Sequence, residues 1–147
     1  QLVKDAQGLI RQIMPSGVRV YHCPHDGTAL YLREAYQEDV STKVQKVRAR
    51  DYSVGEKAKP GETHLQAAVR GLREELQIEG NFALIPAEKN IRVEESPTFA
   101  GLRTRYEDQK FTAILNALQY RINGYEEVRA GKRNVFQWEL APLAESV

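Results

Sequence analysis

The chain has 147 residues, of which 41% are hydrophobic and 28% charged, a composition typical of one ordinary globular domain. Its 21 basic and 20 acidic residues give a net charge of +1, so no overall field favours DNA or a membrane surface as the partner. The one cysteine excludes an intrachain disulfide, and no apolar run approaches the roughly 18 residues that span a bilayer.

We therefore expect a single domain over residues 1–147, with no membrane partner and an intracellular, cytoplasmic location. The start at Gln1 instead of Met fits either a domain cut from a longer protein or a trimmed chain.

The first third of the chain combines one helical pattern with several strand patterns. Residues 4–14 carry apolar side chains at helical spacing, which predicts a short helix that ends at Pro15. The alternating segment VRVYHC predicts a strand, HDGT a turn and ALYLREAY a second strand. The segment VQKVRARDYSV is a third and weaker strand candidate, and residues 55–60 are expected to form a loop.

A helix is predicted over residues 63–78. Thr63 can cap its start, and Gln66 three residues later completes a capping box. The helix also has a continuous apolar stripe that is expected to face the core, formed by Leu65, Ala68, Val69, Leu72 and Leu76.

The remaining third favours a sheet. Residues 81–85 and 90–96 resemble short strands, residues 97–108 resemble a loop, and KFTAILNALQY predicts a central strand. In the last strand, NVFQWEL, the side chains of Phe136, Trp138 and Leu140 share a face that we expect to be buried. The segment APLAES is expected to begin a terminal helix. Together these elements predict a mixed α+β fold in which helices flank a sheet.

Two adjacent glutamates mark a possible metal site on the predicted helix. Glu74 and Glu75 project from one helical turn, away from the apolar stripe, and Arg70 lies four residues before Glu74. Paired carboxylates suit a hard cation such as Mg²⁺ or Mn²⁺. The same spacing also fits a solvated face with Arg–Glu pairs, and charge spacing does not choose between the two.

The segment around these glutamates resembles the Nudix box, G-x5-E-x7-R-E-U-x-E-E-x-G-U, in which U is a bulky apolar residue. Over residues 56–78, Glu62 matches the first box glutamate, Arg70 the arginine, and Glu74 and Glu75 the paired glutamates. The opening strands and the closing segment VFQWELAPLAE are also similar to that family. The resemblance implies a Nudix-like α/β/α sandwich with a mixed central sheet.

Three positions depart from the box. Glu56 stands at the first glycine, beside Gly55; Gln77 stands at the second glycine; and Gly71 stands at the glutamate that follows the arginine. In the family that glutamate belongs to the metal-binding and base-providing set.

The remaining pair, Glu74 and Glu75, could still hold one Mg²⁺ or Mn²⁺ together with substrate phosphates. A general base would then come from outside the box. The candidates are the pairs Glu126–Glu127 and Glu94–Glu95, and we favour Glu127 because it precedes the closing strand.

Substrate contacts are expected from the segment SPTFAGLRTRYEDQK. Its Arg103 and Arg105 could pair with a phosphate, while Tyr106 or Phe99 could stack on a base. Basic residues in RAGKRN, including Arg129, are also suited to phosphate. Both segments could equally be solvated surface loops.

Three functions remain open at this stage. The resemblance implies a metal-dependent pyrophosphohydrolase acting on a nucleoside diphosphate derivative, with Arg70, Glu74, Glu75 and Glu127 in the site. Gly71 and Gln77 favour the alternative, a non-catalytic sensor or adaptor that binds a nucleotide or an RNA end. The third is an interaction module whose pocket is vestigial. Fold alone does not decide among them, because function depends on the site.

Overall fold

The computed structural model describes residues 2–5, 8–98 and 101–141, and these residues form a mixed α+β fold. The helix α1 spans His64–Leu76. The strands are β1 (Leu2–Asp5), β2 (Gly8–Ile13), β3 (Pro15–His22), β4 (Leu30–Asp39), β5 (Gln45–Lys46), β6 (Val54–Lys57), β7 (Leu84–Glu95), β8 (Arg103–Leu115), β9 (Tyr125–Arg129) and β10 (Lys132–Leu140).

Within the described residues these strands make one mixed sheet, with the main order β1-β2-β8-β3-β4-β10-β9. Strand β8 is central: β7 pairs antiparallel along one edge, while β2 and β3 pair parallel with successive halves of the other edge. Strand β6 pairs with β3 and β5 with β4. The predicted mixed α+β class with a mixed central sheet is confirmed.

The predicted helix and its cap are confirmed. The Thr63 hydroxyl accepts a hydrogen bond from the backbone of Gln66, and the Gln66 side chain accepts one from the backbone of Thr63. Buried Ala67, Ala68, Leu72 and Leu76 pack α1 onto the sheet, where the core includes Val18, Val20, Leu32, Phe111 and Phe136. The helix also brings its buried Gly71 against β6.

The predicted apolar stripe is wrong at its N-terminal end. Leu65 is 49% exposed and Val69 is half-buried, and both border a surface groove with Pro60 and Gly61. The small side chain of Ala67 faces the core instead, so the buried face is rotated from the one that the spacing indicated.

The predicted N-terminal helix is also wrong, since β1 and β2 occupy that region. Strand β2 lies parallel to the first half of β8 and buries Ile10 there. Backbone pairing with this otherwise open edge of β8 outweighs the weak helical spacing of a short segment.

Residues 97–108 were expected to form a loop, but β8 begins at Arg103. The two short strands predicted over residues 81–96 are one strand, β7, with an irregularity between Pro86 and Lys89. Charged residues hid both elements: β7 is an exposed edge strand that needs few apolar side chains, and the first half of β8 has the sequence RTRYEDQ. The expected loop at residues 55–60 is partly β6, and the weak strand candidate before it contributes β5 and the start of β6.

The strands predicted before and after the HDGT turn are confirmed as β3 and β4, and the closing strand as β10. On β10, Phe136 is buried and Trp138 half-buried as part of the core, but Leu140 is 72% exposed at the strand end. The terminal helix predicted for APLAES falls on residues 142–147, outside the described part of the chain. No helix in the described residues has both the length and the apolar character needed to cross a membrane.

Candidate active site

A cavity of about 300 Å³ gathers carboxylates from three different elements. Glu56 comes from β6, Glu75 from α1 and Glu127 from β9. Arg48 and Arg50 line the same cavity, but both guanidinium groups bind the buried carboxylate of Glu34 at 2.6–2.9 Å. These two positive charges therefore share the single negative charge of Glu34, and the charge of Arg50 also acts to lower the pKa of Glu75.

Glu75 is the most unusual of these carboxylates. It is 6% exposed, and no donor in the described residues hydrogen-bonds its buried Oε2 atom. Burial raises the pKa of Glu75 to about 8, and the nearby charges of Glu56 and Glu127 act in the same direction. A buried carboxylate oxygen without a partner is costly, which makes it a natural ligand for a proton or a cation.

Glu127, the favoured base candidate, lies in this cavity. It is 5% exposed and accepts a hydrogen bond from Asn134 Nδ2 at 3.4 Å. Burial also raises the pKa of Glu127. Its neighbour Glu126 instead lies on the other face of β9, half-exposed and paired with Arg133. The alternative candidates, Glu94 and Glu95, end the exposed strand β7 and do not line the cavity.

Arg70 holds the corner where β6 meets the helix. Its guanidinium donates to both carboxylate oxygens of Glu62, at 3.0 and 3.1 Å, and to Glu56 Oε2 at 3.2 Å. This hydrogen bonding, with the backbone N–H of Lys59, lowers the pKa of Glu62 to about 2. Arg70 and Glu62 thus brace the loop–helix junction and position Glu56.

Arg129 connects the remaining carboxylates. Its Nη1 atom lies 3.5 Å from Glu56, 3.4 Å from Glu74 and 3.8 Å from Glu127. The side chain of Glu74 is 45% exposed, does not line the cavity and also contacts Arg70 at 3.5 Å. One guanidinium nitrogen therefore occupies a position shared by three carboxylates. At 56% exposure, the Arg129 side chain has room to swing into solvent.

The residues present fit a hard divalent cation. All the anionic donors are carboxylate oxygens, which Mg²⁺ and Mn²⁺ prefer. Glu75 offers an unpaired oxygen, and Arg129 already places positive charge among the other carboxylates. In the described residues, however, no three His, Cys, Asp or Glu side chains are drawn together closely enough to hold a metal as they stand.

A cleft of about 600 Å³ adjoins the acidic cavity and shares Tyr52, Gly55, Glu56 and Arg129 with it. The cleft is lined by more basic than acidic side chains: Glu56 and Asp108 against Lys57, Lys59, Arg70, Arg92, Lys110 and Arg129. Four of these basic residues, Arg70, Arg92, Lys110 and Arg129, are engaged in ion pairs. The ring of Tyr52 stands in the cleft, where a Cβ atom on Gly55 would come within 2.7 Å of it. A polyanion could thus lie along the basic cleft with one end at the carboxylates.

The predicted substrate residues lie on β8 instead of in a loop. Arg105 pairs with Glu107 at 3.2 Å, and the ring of Tyr106 lies 4.2 Å from the Arg92 guanidinium carbon. Neither these two nor Arg103 lines the cleft, although Tyr106 supports Arg92, which does. Phe99 lies outside the described residues. The binding roles of Arg103, Arg105 and Tyr106 stay predictions.

Sequence reasoning gave no role to Glu56 or Tyr52, and it treated Arg129 as a phosphate ligand. Glu56 could have been noticed from the sequence, because it places a carboxylate where the box has glycine. Tyr52 had no signal, because it lies in an irregular segment that only the fold brings to the cleft.

Comparison with solved structures finds distant similarities. An Ap4A hydrolase binary complex from C. elegans is 16% identical over 86% of this chain and 78% of its own, with a TM-score of 0.43. The Nudix hydrolase RenU from M. smegmatis is 16% identical over 95% and 79%, with a TM-score of 0.42. The E. coli ORF135 protein is 20% identical over 88% and 74%, with a TM-score of 0.40. No family model and no curated protein matches the chain.

Proposed function

We propose that this chain is a Nudix-type hydrolase domain that cleaves the pyrophosphate linkage of a nucleoside diphosphate derivative. The observation that carries the proposal is the buried, unpartnered oxygen of Glu75 in a cavity shared with Glu56 and Glu127. This cavity opens on a basic cleft. Carboxylates that suit a hard cation, next to basic side chains that suit phosphate, support pyrophosphate hydrolysis as the reaction.

Each group has a distinct task in this proposal. Glu74 and Glu75 would hold Mg²⁺ or Mn²⁺, and the bound ion would neutralise charge on the phosphate oxygens. Lys57, Lys59 and Lys110 bind the rest of the polyphosphate. Arg70 keeps the carboxylates in position through its contacts with Glu56 and Glu74.

Glu127 takes a proton from the attacking water. The water oxygen forms a bond to one phosphorus, the bridging oxygen leaves with the other phosphate, and the proton passes to the Glu127 carboxylate. Burial raises the pKa of Glu127 and so makes it a better base.

A panel of nucleoside diphosphate sugars, dinucleoside polyphosphates and capped RNA tests the proposal, with Mg²⁺ or Mn²⁺ added. We expect turnover by the natural protein and a loss of about 100-fold in kcat for Glu75→Gln and for Glu127→Gln. Glu126→Gln is the matched control, because Glu126 points away from the cavity, and it should keep full activity. Strong activity that survives Glu75→Gln would reject this site.

A second function is a non-catalytic sensor that binds a nucleotide or an RNA end. The contacts of Arg129 with three carboxylates favour it, because an internal cation can replace the metal and leave a binding pocket without chemistry. In that case the panel gives saturable binding with no product. The affinity should then change little when metal is removed with EDTA.

A further inference from the structure

Two departures from the Nudix box are complementary. Where the box has its first glycine this chain has Glu56, and where the box has the glutamate after the arginine this chain has Gly71. The two positions are far apart in sequence, but β6 and α1 bring them into contact. Compared with the box, the glycine and the glutamate therefore stand on the opposite members of two facing elements.

Gly71 and Glu56 lie so close together that only one of the two positions can carry a large side chain without a collision. A Cβ atom built on Gly71 would lie 2.9 Å from Glu56 Cγ and 3.4 Å from Glu75 Oε2. The Glu56 side chain thus fills the space into which a side chain at position 71 would extend. Glycine at position 71 admits Glu56, and a side chain there would collide with it.

The surroundings of Glu56 suit a functional carboxylate. Its side chain is 11% exposed, and the residue lines both the acidic cavity and the basic cleft. It lies beside the unpartnered Oε2 of Glu75, which is more than nine-tenths buried and borders the same space above Gly71.

A purely structural ion pair accounts poorly for Glu56. Arg70 already has a bidentate partner in Glu62, so its charge is compensated without Glu56. The second oxygen of Glu56 faces the exposed side chain of Arg129 at 3.5 Å, a contact that an incoming cation can replace.

We propose that Glu56 supplies, from β6, the carboxylate that the box would place on the helix at position 71. With Glu75 and Glu74 it completes a three-carboxylate site for Mg²⁺ or Mn²⁺. This inference rests on the proposed function. It supplies the third carboxylate ligand that the site would otherwise lack because position 71 is glycine, and it does so from a different position in the sequence but a similar position in space.

The test compares Mn²⁺ affinity, followed by electron paramagnetic resonance of the free ion, in four proteins. They are the natural chain, Glu56→Gln, Gly71→Glu and the exchanged double variant Glu56→Gly/Gly71→Glu. Glu56→Gln is nearly isosteric and keeps an acceptor for Arg70, so it should fold. Glu139→Gln, which removes an exposed partner of Arg33, is the control.

We expect Glu56→Gln to raise the Kd for Mn²⁺ by about tenfold or more, because one anionic ligand is lost. The exchanged double variant should recover to within about threefold of the natural Kd, since the carboxylate returns by the other route. Gly71→Glu alone should lower the melting temperature, as two side chains then compete for one space. Recovery in the double variant is a result that a merely structural role for Glu56 would not produce.

Unchanged Mn²⁺ affinity in Glu56→Gln would overturn the inference. This single variant decides the test even if the double variant does not fold. Nucleotide turnover, measured on the same samples, separates the two claims. If the natural protein turns over a nucleotide and Glu56→Gln keeps both this turnover and the Mn²⁺ affinity, the role of Glu56 is rejected and the hydrolase proposal stands. Mn²⁺ binding that depends on Glu56 without any turnover supports Glu56 as a ligand and rejects hydrolysis. No Mn²⁺ binding by the natural protein rejects both.

Discussion

At the scale of single residues, the site is governed by how negative charge is compensated. Carboxylates from β6, α1 and β9 converge on one cavity, and Arg129 supplies positive charge to Glu56, Glu74 and Glu127. Glu75 has no such partner for its buried oxygen among the described residues. A metal ion and a proton therefore compete for the carboxylate of Glu75, because either one compensates its buried negative charge.

Replacing Arg129 should strengthen metal binding. In Arg129→Gln the carboxylates lose a competing internal cation, so we expect the Kd for Mn²⁺ to fall by about tenfold. The effect stays below the full Coulomb value because the exposed side chain can move away. Isothermal titration gives the affinity, and Arg133→Gln, whose partners are Glu38 and Glu126, is the matched control. Weaker binding in Arg129→Gln would mean that Arg129 supports the site instead of competing for it.

Loss of the proton from Glu75 should make the metal-free protein less stable as the pH rises. The pKa of this carboxyl is about 8 when folded against an ordinary value of 4.5, so folding favours the neutral form. Burial and the charges of Glu56 and Glu127 cause the rise, and Arg50 and Arg129 oppose it. The stabilisation is complete below pH 4.5 and is lost as the pH increases through 8.

Glu75→Gln, which stays neutral, should therefore gain stability relative to the natural protein between pH 5 and 8. The difference should reach about 2–4 kcal/mol at pH 8 in EDTA. Urea denaturation at several pH values measures it. A difference that does not vary with pH would contradict the assignment.

At the scale of the elements, the helix was predictable because its local signals agree. The capping box and the buried positions Ala68, Leu72 and Leu76 all point to one helix, and the structure has it. Strand β7 was harder, because an edge strand can carry charged residues on both faces. Strand β8 is central, but the sequence of its first half, RTRYEDQ, is rich in charged residues and resembles a loop. For the same reason Arg105 and Tyr106 were placed in a loop.

Strand β10 offers a direct check of how the closing element packs. Phe136 and Leu140 lie on one face of it, yet Phe136 is fully buried and Leu140 is 72% exposed. Phe136→Ala should reduce the free energy of unfolding by about 3–5 kcal/mol, whereas Leu140→Ala should cost well under about 1 kcal/mol. Chemical denaturation of both variants tests this difference. Similar losses for the two would show that the end of β10 is packed differently.

At the scale of the whole molecule, the near-zero net charge conceals a local clustering of charged side chains of both signs. The basic cleft lies against the acidic cavity, and the sequence total of +1 gives no sign of either. Sequence reasoning proposed Glu74, Glu75 and Glu127 from the box and from chain order, and Glu75 and Glu127 both line the cavity. It could not find Tyr52 or the contacts of Arg129, because these depend on how the fold brings distant segments together.

Ligand binding should accordingly depend on salt. Raising the ionic strength from about 0.05 to 0.5 M should weaken binding of a nucleoside diphosphate by about tenfold, since the cleft presents several positive side chains to the phosphates. Lys57→Gln should reduce that dependence, whereas Lys43→Gln, at an exposed turn away from the cleft, should leave it unchanged. Fluorescence titration measures both. Affinity that does not respond to salt would place the ligand elsewhere.

The most direct test of the metal site is anomalous diffraction from crystals soaked in Mn²⁺. We expect a peak bound by carboxylate oxygens of Glu56 and Glu75, with the Arg129 side chain displaced from its present contacts. A crystal that shows Arg129 still between Glu56 and Glu74 and no peak in the cavity, at a Mn²⁺ concentration that supports turnover, would contradict the account.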